Sequence, residues 1–246
     1  MKRIFYFLGV LLVLASCTGN KESHVVVPVD EPQPVLLIQP YNDVTLQEAE
    51  RLKAELEREL PRLTGDDFEV KVLPVRQLSD SLKNDARTRF RADKILTWQT
   101  RNIAVGNAPT TLLGFTHSDI SLPYKGRADW GVLGLSFRGK RTAVISTYRV
   151  RDAKRNLWKV AAHEFIHAWY AYPHCPNADP LCIMQDAKGK PNFSNQTSLC
   201  DSCRTLAIAS RSLKKAENFA REWHFEKAYS IFKESLIIYG LHVKKM

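Results

Sequence analysis

The sequence predicts an α+β fold, a mixed twisted sheet packed against helices with a helical hairpin at the C-terminal end. Three observations predict it. Short apolar runs at 35–40, 112–116, 130–137 and 142–150 read as strands, and FEVKVLPV at 68–75 alternates with strand period. Thr45 to Leu60, Leu82 to Trp98 and a stretch from Arg151 to Tyr172 space their apolar residues as helices do. Residues 204–241 hold two further helical patterns, which pair as a hairpin.

The elements follow in order along 246 residues. The first, MKRIFYFLGVLLVLASC, has a basic start at Lys2 and Arg3 and an apolar run from Ile4 to Leu14, too short to span a bilayer comfortably. Leu14-Ala15-Ser16-Cys17 then resembles a bacterial lipobox, which implies that Cys17 is acylated and becomes the mature N-terminus. An ordinary signal peptide cut near the same point and an uncleaved anchor helix are the simpler alternatives. The expectation is an envelope protein held to a membrane by lipid chains, at the outer membrane or cell surface, since no aspartate follows Cys17. Residues 18–34 (TGNKESHVVVPVDEPQP) are polar and proline-punctuated and read as a tether.

VLLIQP at 35–40 reads as a short buried strand. The helix after it opens on a capping box, Thr45 with Glu48, and carries Leu46, Ala49, Leu52, Leu56 and Leu60. The helix assigned to Leu82–Trp98 runs into a loop at Asn102–Pro109. The strands LLGFT, WGVLGLSF and TAVISTYRV precede RDAKRNLWKVAAHEFIHAWYAY, a helix whose apolar Leu157, Val160, Ala161, Phe165 and Ala168 mark it as buried.

Charge excludes little. Without Lys2 and Arg3 the formal charge falls from +10 to +8. The basic residues are scattered apart from Arg87, Arg89, Arg91 and Lys94, which read as a solvated face, so nucleic acid is not an expected partner. Cysteines are more informative. Beyond Cys17 the chain has Cys175, Cys182, Cys200 and Cys203, which suit either two disulfides in an oxidising compartment or a four-cysteine zinc site.

The chemistry centres on HEFIHAWYAYPHC, His163 to Cys175. A helix turns about 100° per residue, so His163 and His167 can aim two imidazoles at one metal, while Glu164 stands beside it as a base for an attacking water. A catalytic zinc takes three protein ligands and keeps one open position. His174 is the nearest third ligand, and Pro173 before it favours an extended approach. Glu217 and Glu222 are the rival third ligands further on. Trp169-Tyr170-Ala171-Tyr172 contains no glycine and is one residue longer than the H-E-x-x-H-x-x-G-x-x-H pattern, and the added residue either lets the chain reverse more widely without a left-handed glycine or misplaces His174.

His174 is followed at once by Cys175, then by Cys182-Ile183-Met184 and by Cys200-x-x-Cys203. This series resembles the archaemetzincins, as do LLGFTHSDI, GVLGLSF and AVISTYRV upstream, over roughly residues 35–206. The resemblance implies a metzincin-like catalytic domain there, with residues 207–246 a C-terminal helical extension. It implies a zinc metallopeptidase acting on a peptide or protein substrate, with two Zn2+ per chain. The catalytic zinc would sit on His163, His167 and His174 with Glu164 as general base. The structural zinc would sit on Cys175, Cys182, Cys200 and Cys203, and Met184 would be the Met-turn methionine under the metal. The alternative from another class is a non-catalytic zinc-binding lipoprotein of the same fold, and a third is a disulfide-stapled interaction module. His117 reads as a substrate contact or a plain loop histidine, and Tyr170 and Tyr172 as packing aromatics.

Overall fold

The computed structural model describes residues 33–103, 105, 109–177, 179–187, 193–207 and 209. Cys17, nearly all of the tether, the C-terminal hairpin, Glu217 and Glu222 lie outside the described residues.

Strand β1 (Val35–Pro40) is buried along its whole length because helices cover both of its faces. Leu36 and Ile38 enter one core and Val35 and Leu37 the other, as period-two alternation requires. β1 pairs in parallel with β2 (Glu69–Val72) and with β4 (Thr110–Thr116), and β4 in parallel with β8 (Thr142–Ser146). β7 (Gly134–Phe137) closes the sheet antiparallel to β8, giving the order β2-β1-β4-β8-β7. The architecture is mixed α+β, as expected.

Helix α1 (Leu46–Thr64) starts on the capping box, with the Glu48 N–H donating to Thr45 Oγ1 at 3.2 Å and the Thr45 N–H to Glu48 Oε2 at 2.9 Å. It runs past Leu60, through Pro61, and stops at Gly65, whose φ of 75° lets its N–H reach the Pro61 carbonyl. With the helix at Ala153–Tyr170 it fills the core on one sheet face, and the helix at Ala92–Asn102 fills the other.

Three sequence assignments change. The helix assigned to Leu82–Trp98 is α2, Ala92–Asn102, preceded by a 3-10 turn and by the short strand β3 (Phe90–Arg91). Asn84 is the reason: its Oδ1 accepts from the Thr88 and Arg89 N–H groups, a local alternative to helix. WGVLGLSF is not one strand. It breaks at Leu133 into β6 (Arg127–Val132) and β7, which belong to different sheets. β6 pairs antiparallel with β5 (Ile120–Tyr124), and β5 in parallel with β3. TAVISTYRV ends as a strand at Ser146, whose Oγ accepts the Tyr148 N–H and turns the chain toward the next helix.

That helix, α3 (Ala153–Tyr170), is buried from Asn156 onward. Its end is capped from outside: the carbonyls of His167 and Ala168 accept the N–H groups of Gly139 and Arg141 in the β7–β8 turn, at 3.1 and 3.2 Å. Ala171 then takes a left-handed φ of 57°. The reversal therefore passes through a left-handed position occupied by alanine, with no glycine in the turn.

Candidate active site and metal centres

One turn of α3 separates His163 from His167, and their Nε2 atoms face each other across 3.0 Å. The other ring nitrogens are already committed. His163 Nδ1–H donates to the Ile183 carbonyl at 2.7 Å, and His167 Nδ1–H donates to the Tyr172 carbonyl. Burial holds both rings neutral, pushing His163 down to about 4 and His167, which also feels His163, down to about 3. Two lone pairs therefore converge with no proton between them, an arrangement that suits a cation. His174 arrives from the turn with its ring centroid 4.8 Å from that of His167 and 5.3 Å from that of His163. One nitrogen from each of the three lies within 4.8 Å of the others. A tetrahedral zinc with Zn–N near 2.0–2.1 Å sets such separations at about 3.3 Å, so the donor set fits the ion.

Glu164 is 8 % exposed and stands between this cluster and β7. Burial raises its carboxyl to about 7, with a hydrogen bond from Ser136 opposing. Space for it comes from Gly134: a Cβ there would lie 2.7 Å from Glu164 Cγ and 2.9 Å from Oε1. The carboxyl, His163 and His174 line a cleft of about 1430 Å³ that extends under the β5–β6 hairpin to Lys125, Arg127 and Trp130.

The four cysteines form a second cluster whose sulfurs lie within 4.8 Å of one another. All are free thiols. Cys175 Sγ is 3.6 Å from Cys200 Sγ, and Cys182 Sγ is 3.5 Å from Cys203 Sγ. A disulfide bond is about 2.05 Å long, whereas a tetrahedral thiolate zinc sets S–S separations of about 3.8 Å. The geometry matches the metal option. The Cys203 thiol and the Cys200 N–H draw Cys182 down to about 5, toward the thiolate a metal requires, and burial pushes Cys175 up to about 12.

Cys182-Ile183-Met184 joins the two clusters. Cys182 belongs to the sulfur set, the Ile183 carbonyl orients His163, and the fully buried Met184 accepts the Cys175 N–H at 2.7 Å.

The remaining sequence candidates settle elsewhere. His117 ties the start of α1 to the end of β8, with Nδ1 2.7 Å from Thr147 Oγ1 and Nε2 3.3 Å from Glu48 Oε2. Tyr170 donates to Asp66 at 2.6 Å. Half of the basic cluster is a network rather than a solvated face: Arg89 pairs with Asp119 and Asp129, and Arg91 with Asp93, while Arg87 and Lys94 are exposed. Sequence reasoning missed Gly134, the β5–β6 hairpin and Lys159. Lys159 is buried one turn before His163, and its ammonium donates to the carbonyls of Phe193 and Ser194 at 2.7 and 3.0 Å, fixing the segment beside His163. Its spacing of four from His163 in an apolar helix was the available signal.

Comparison with known proteins agrees with this picture. Residues 1–18 match the model of a prokaryotic membrane lipoprotein lipid attachment site, which indicates a lipid-anchored bacterial envelope protein. Archaemetzincin (AmzA) from Archaeoglobus fulgidus, solved with malonate, is similar at 26 % identity and a TM-score of 0.50, covering 70 % of this chain and 99 % of its own. Archaemetzincin from Methanopyrus kandleri is similar in fold, at 22 % identity and a TM-score of 0.56, covering 76 % of this chain and 99 % of its own. No curated protein matches by sequence. The chain resembles the archaemetzincins.

Proposed function

We propose that this archaemetzincin-like chain is an exported zinc metallopeptidase, anchored through Cys17, that hydrolyses peptide bonds. The domain layout proposed is a signal peptide at 1–17, a tether at 18–34, a catalytic domain at 35–206 and a helical extension at 207–246. The outer membrane is its proposed site.

The observation that carries the reading is the buried Glu164 beside two imidazoles whose Nε2 lone pairs converge. In this reading His163, His167 and His174 hold the catalytic zinc, while Cys175, Cys182, Cys200 and Cys203 hold a structural one, with Met184 as the Met-turn floor. Zinc bound by His163, His167 and His174 would supply Lewis-acid chemistry there, which would lower the pKa of a water toward about 7 and polarise a carbonyl. The chain's own residues do the rest. The Ile183 and Tyr172 carbonyls fix both imidazoles with Nε2 outward. Glu164 takes the proton of the attacking water on a carboxylate oxygen and returns it to the departing amine; burial suits it to the task by placing its pKa near 7. The absence of a side chain on Gly134 leaves the carboxylate room at this position.

The competing reading is a non-catalytic zinc-binding lipoprotein. Glu164 weighs against it, because a buried carboxyl beside the histidines adds nothing to metal retention that the imidazoles lack, and its desolvation is unfavourable. Metal analysis separates the roles. The parent is expected to carry about two zinc ions, and His174→Ala about one, retained by the cysteines. A His174→Ala protein that binds both as tightly as the parent refutes His174 as a ligand.

A further inference from the structure

We propose that the β5–β6 hairpin selects substrates bearing a carboxylate, through Lys125 and Arg127. The inference rests on the peptidase reading and names the substrate class of that site.

The hairpin is built for presentation. Tyr124 pairs with Arg127, and the two residues between them, Lys125 and Gly126, both have positive φ, 47° and 77°. That is a two-residue turn whose twist matches its strands, so the tip is a defined structure. On it, Lys125 Nζ lies 5.2 Å from the Tyr124 ring centroid and Arg127 Cζ 4.9 Å from that of Trp130. The two rings are 5.9 Å apart, so two cations flank two packed aromatics. Ring contact limits the freedom of the long side chains without neutralising them.

All four residues line the same cleft as His163, Glu164 and His174. The other two cations of that lining are spent. Arg149 makes a bidentate pair with Asp119 at 2.7 Å, and Arg89 pairs with Asp119 and Asp129 at 2.7 and 3.0 Å. Among the described residues, Lys125 and Arg127 form no ion pair. The uncompensated positive charge of the cleft is thus concentrated on the hairpin, while Glu164 and Asp186 lie in its acidic part. A chain crossing from the histidines to the hairpin meets two ordered, exposed cations over aromatic faces. The matching chemistry is a carboxylate, from an aspartate or glutamate side chain or from a free C-terminus.

The test uses full-length Glu164→Ala protein as purified with its zinc, so that binding is read without cleavage. Matched fluorescent peptides carry Glu, Gln or Lys at each position, with free or amidated C-termini, and anisotropy reports affinity. The expected result is Glu over Gln by roughly fivefold per cation engaged, falling with salt. In the Lys125→Gln/Arg127→Gln background, checked for an unchanged circular dichroism spectrum, that ratio collapses to about one. Preference for a free C-terminus alone assigns the terminal carboxylate, and preference surviving amidation assigns the side chain. Equal affinity for all charges overturns the proposal while leaving the peptidase reading intact if the parent still cleaves them. A parent that neither binds nor cleaves any peptide overturns both. If the double substitution leaves peptide ratios unchanged and instead abolishes binding to phosphatidylglycerol vesicles, the hairpin contacts membrane and the proposal fails.

Discussion

Glu164 occupies the volume that a side chain on Gly134 would need, with its Cγ 2.7 Å from the position of a Cβ there. Val144 O stands 3.0 Å from the same point, so neither neighbour gives way cheaply. Gly134→Ala is expected to displace the carboxyl while leaving all seven proposed ligands in place. A displacement of about 1 Å costs on the order of a hundredfold in rate. Zinc content equal to the parent's, with kcat down by that order, is the predicted pair of results. Unchanged kcat would show that the carboxylate is positioned by something else.

Ala171 supplies the left-handed turn that leads to His174, and its Cβ lies 3.0 Å from where a Cβ on Gly139 would stand. A left-handed conformation costs a non-glycine residue roughly 1–2 kcal/mol. Glycine gives part of this back through the greater freedom of the unfolded chain, so Ala171→Gly is expected to stabilise by about 1 kcal/mol. Ala171→Val is expected to destabilise by more than that. Urea unfolding midpoints check both signs.

The pH dependence of stability has two opposing parts once the histidine-site metal is removed. His163 and His167 have folded pKa values of about 4 and 3, below the unfolded 6.5, so their contribution is present above 6.5 and is lost as pH falls toward 4. Glu164 behaves oppositely. Its folded value near 7 lies above the unfolded 4.5, so its contribution is present below 4.5 and is lost as pH rises through 7. Glu164→Gln removes only the second part. Denaturant titrations between pH 7 and 4.5 should therefore show a steeper loss of stability on acidification in the variant than in the parent. Parallel curves would contradict the burial of one of these groups.

Cys200→Ser should damage folding before it damages chemistry. The sulfur cluster ties the two ends of residues 175–203 together, and a structural metal there contributes folding energy directly. The expected drop in Tm is about 10 °C or more, since 1 kcal/mol moves Tm by roughly 2–4 °C in a domain of this size. Native intact mass showing two disulfides in the parent would refute the four-cysteine metal site.

What the sequence made legible was local. The apolar period of α3, the capping box at Thr45 and Glu48 and the histidine spacing of four are short-range patterns, and each matches an observed element. What it hid depends on partners far along the chain. The Ile183 carbonyl that orients His163 lies 20 residues away, and nothing about isoleucine announces a backbone acceptor. Gly134 reads as a weak strand residue until Glu164 is seen in its place. β5 escaped notice because Pro123 interrupts its pattern, and the irregular pairing between Leu122 and Tyr124 accommodates that proline. The break at Leu133 is likewise invisible locally, since WGVLGLSF reads as one apolar run and only the partners, Ile120 for Val132 and Ile145 for Gly134, divide it.

The most direct test of the account is hydrolysis by Glu164→Ala protein that retains its zinc, set against the parent on any peptide the parent cleaves. Removing a general base, and not a ligand, is predicted to leave about two zinc ions per chain and to lower kcat by about 10²–10⁴-fold. A zinc-loaded Glu164→Ala protein that matches the parent on every such peptide would contradict the account and leave the chain a zinc-binding protein of archaemetzincin-like fold.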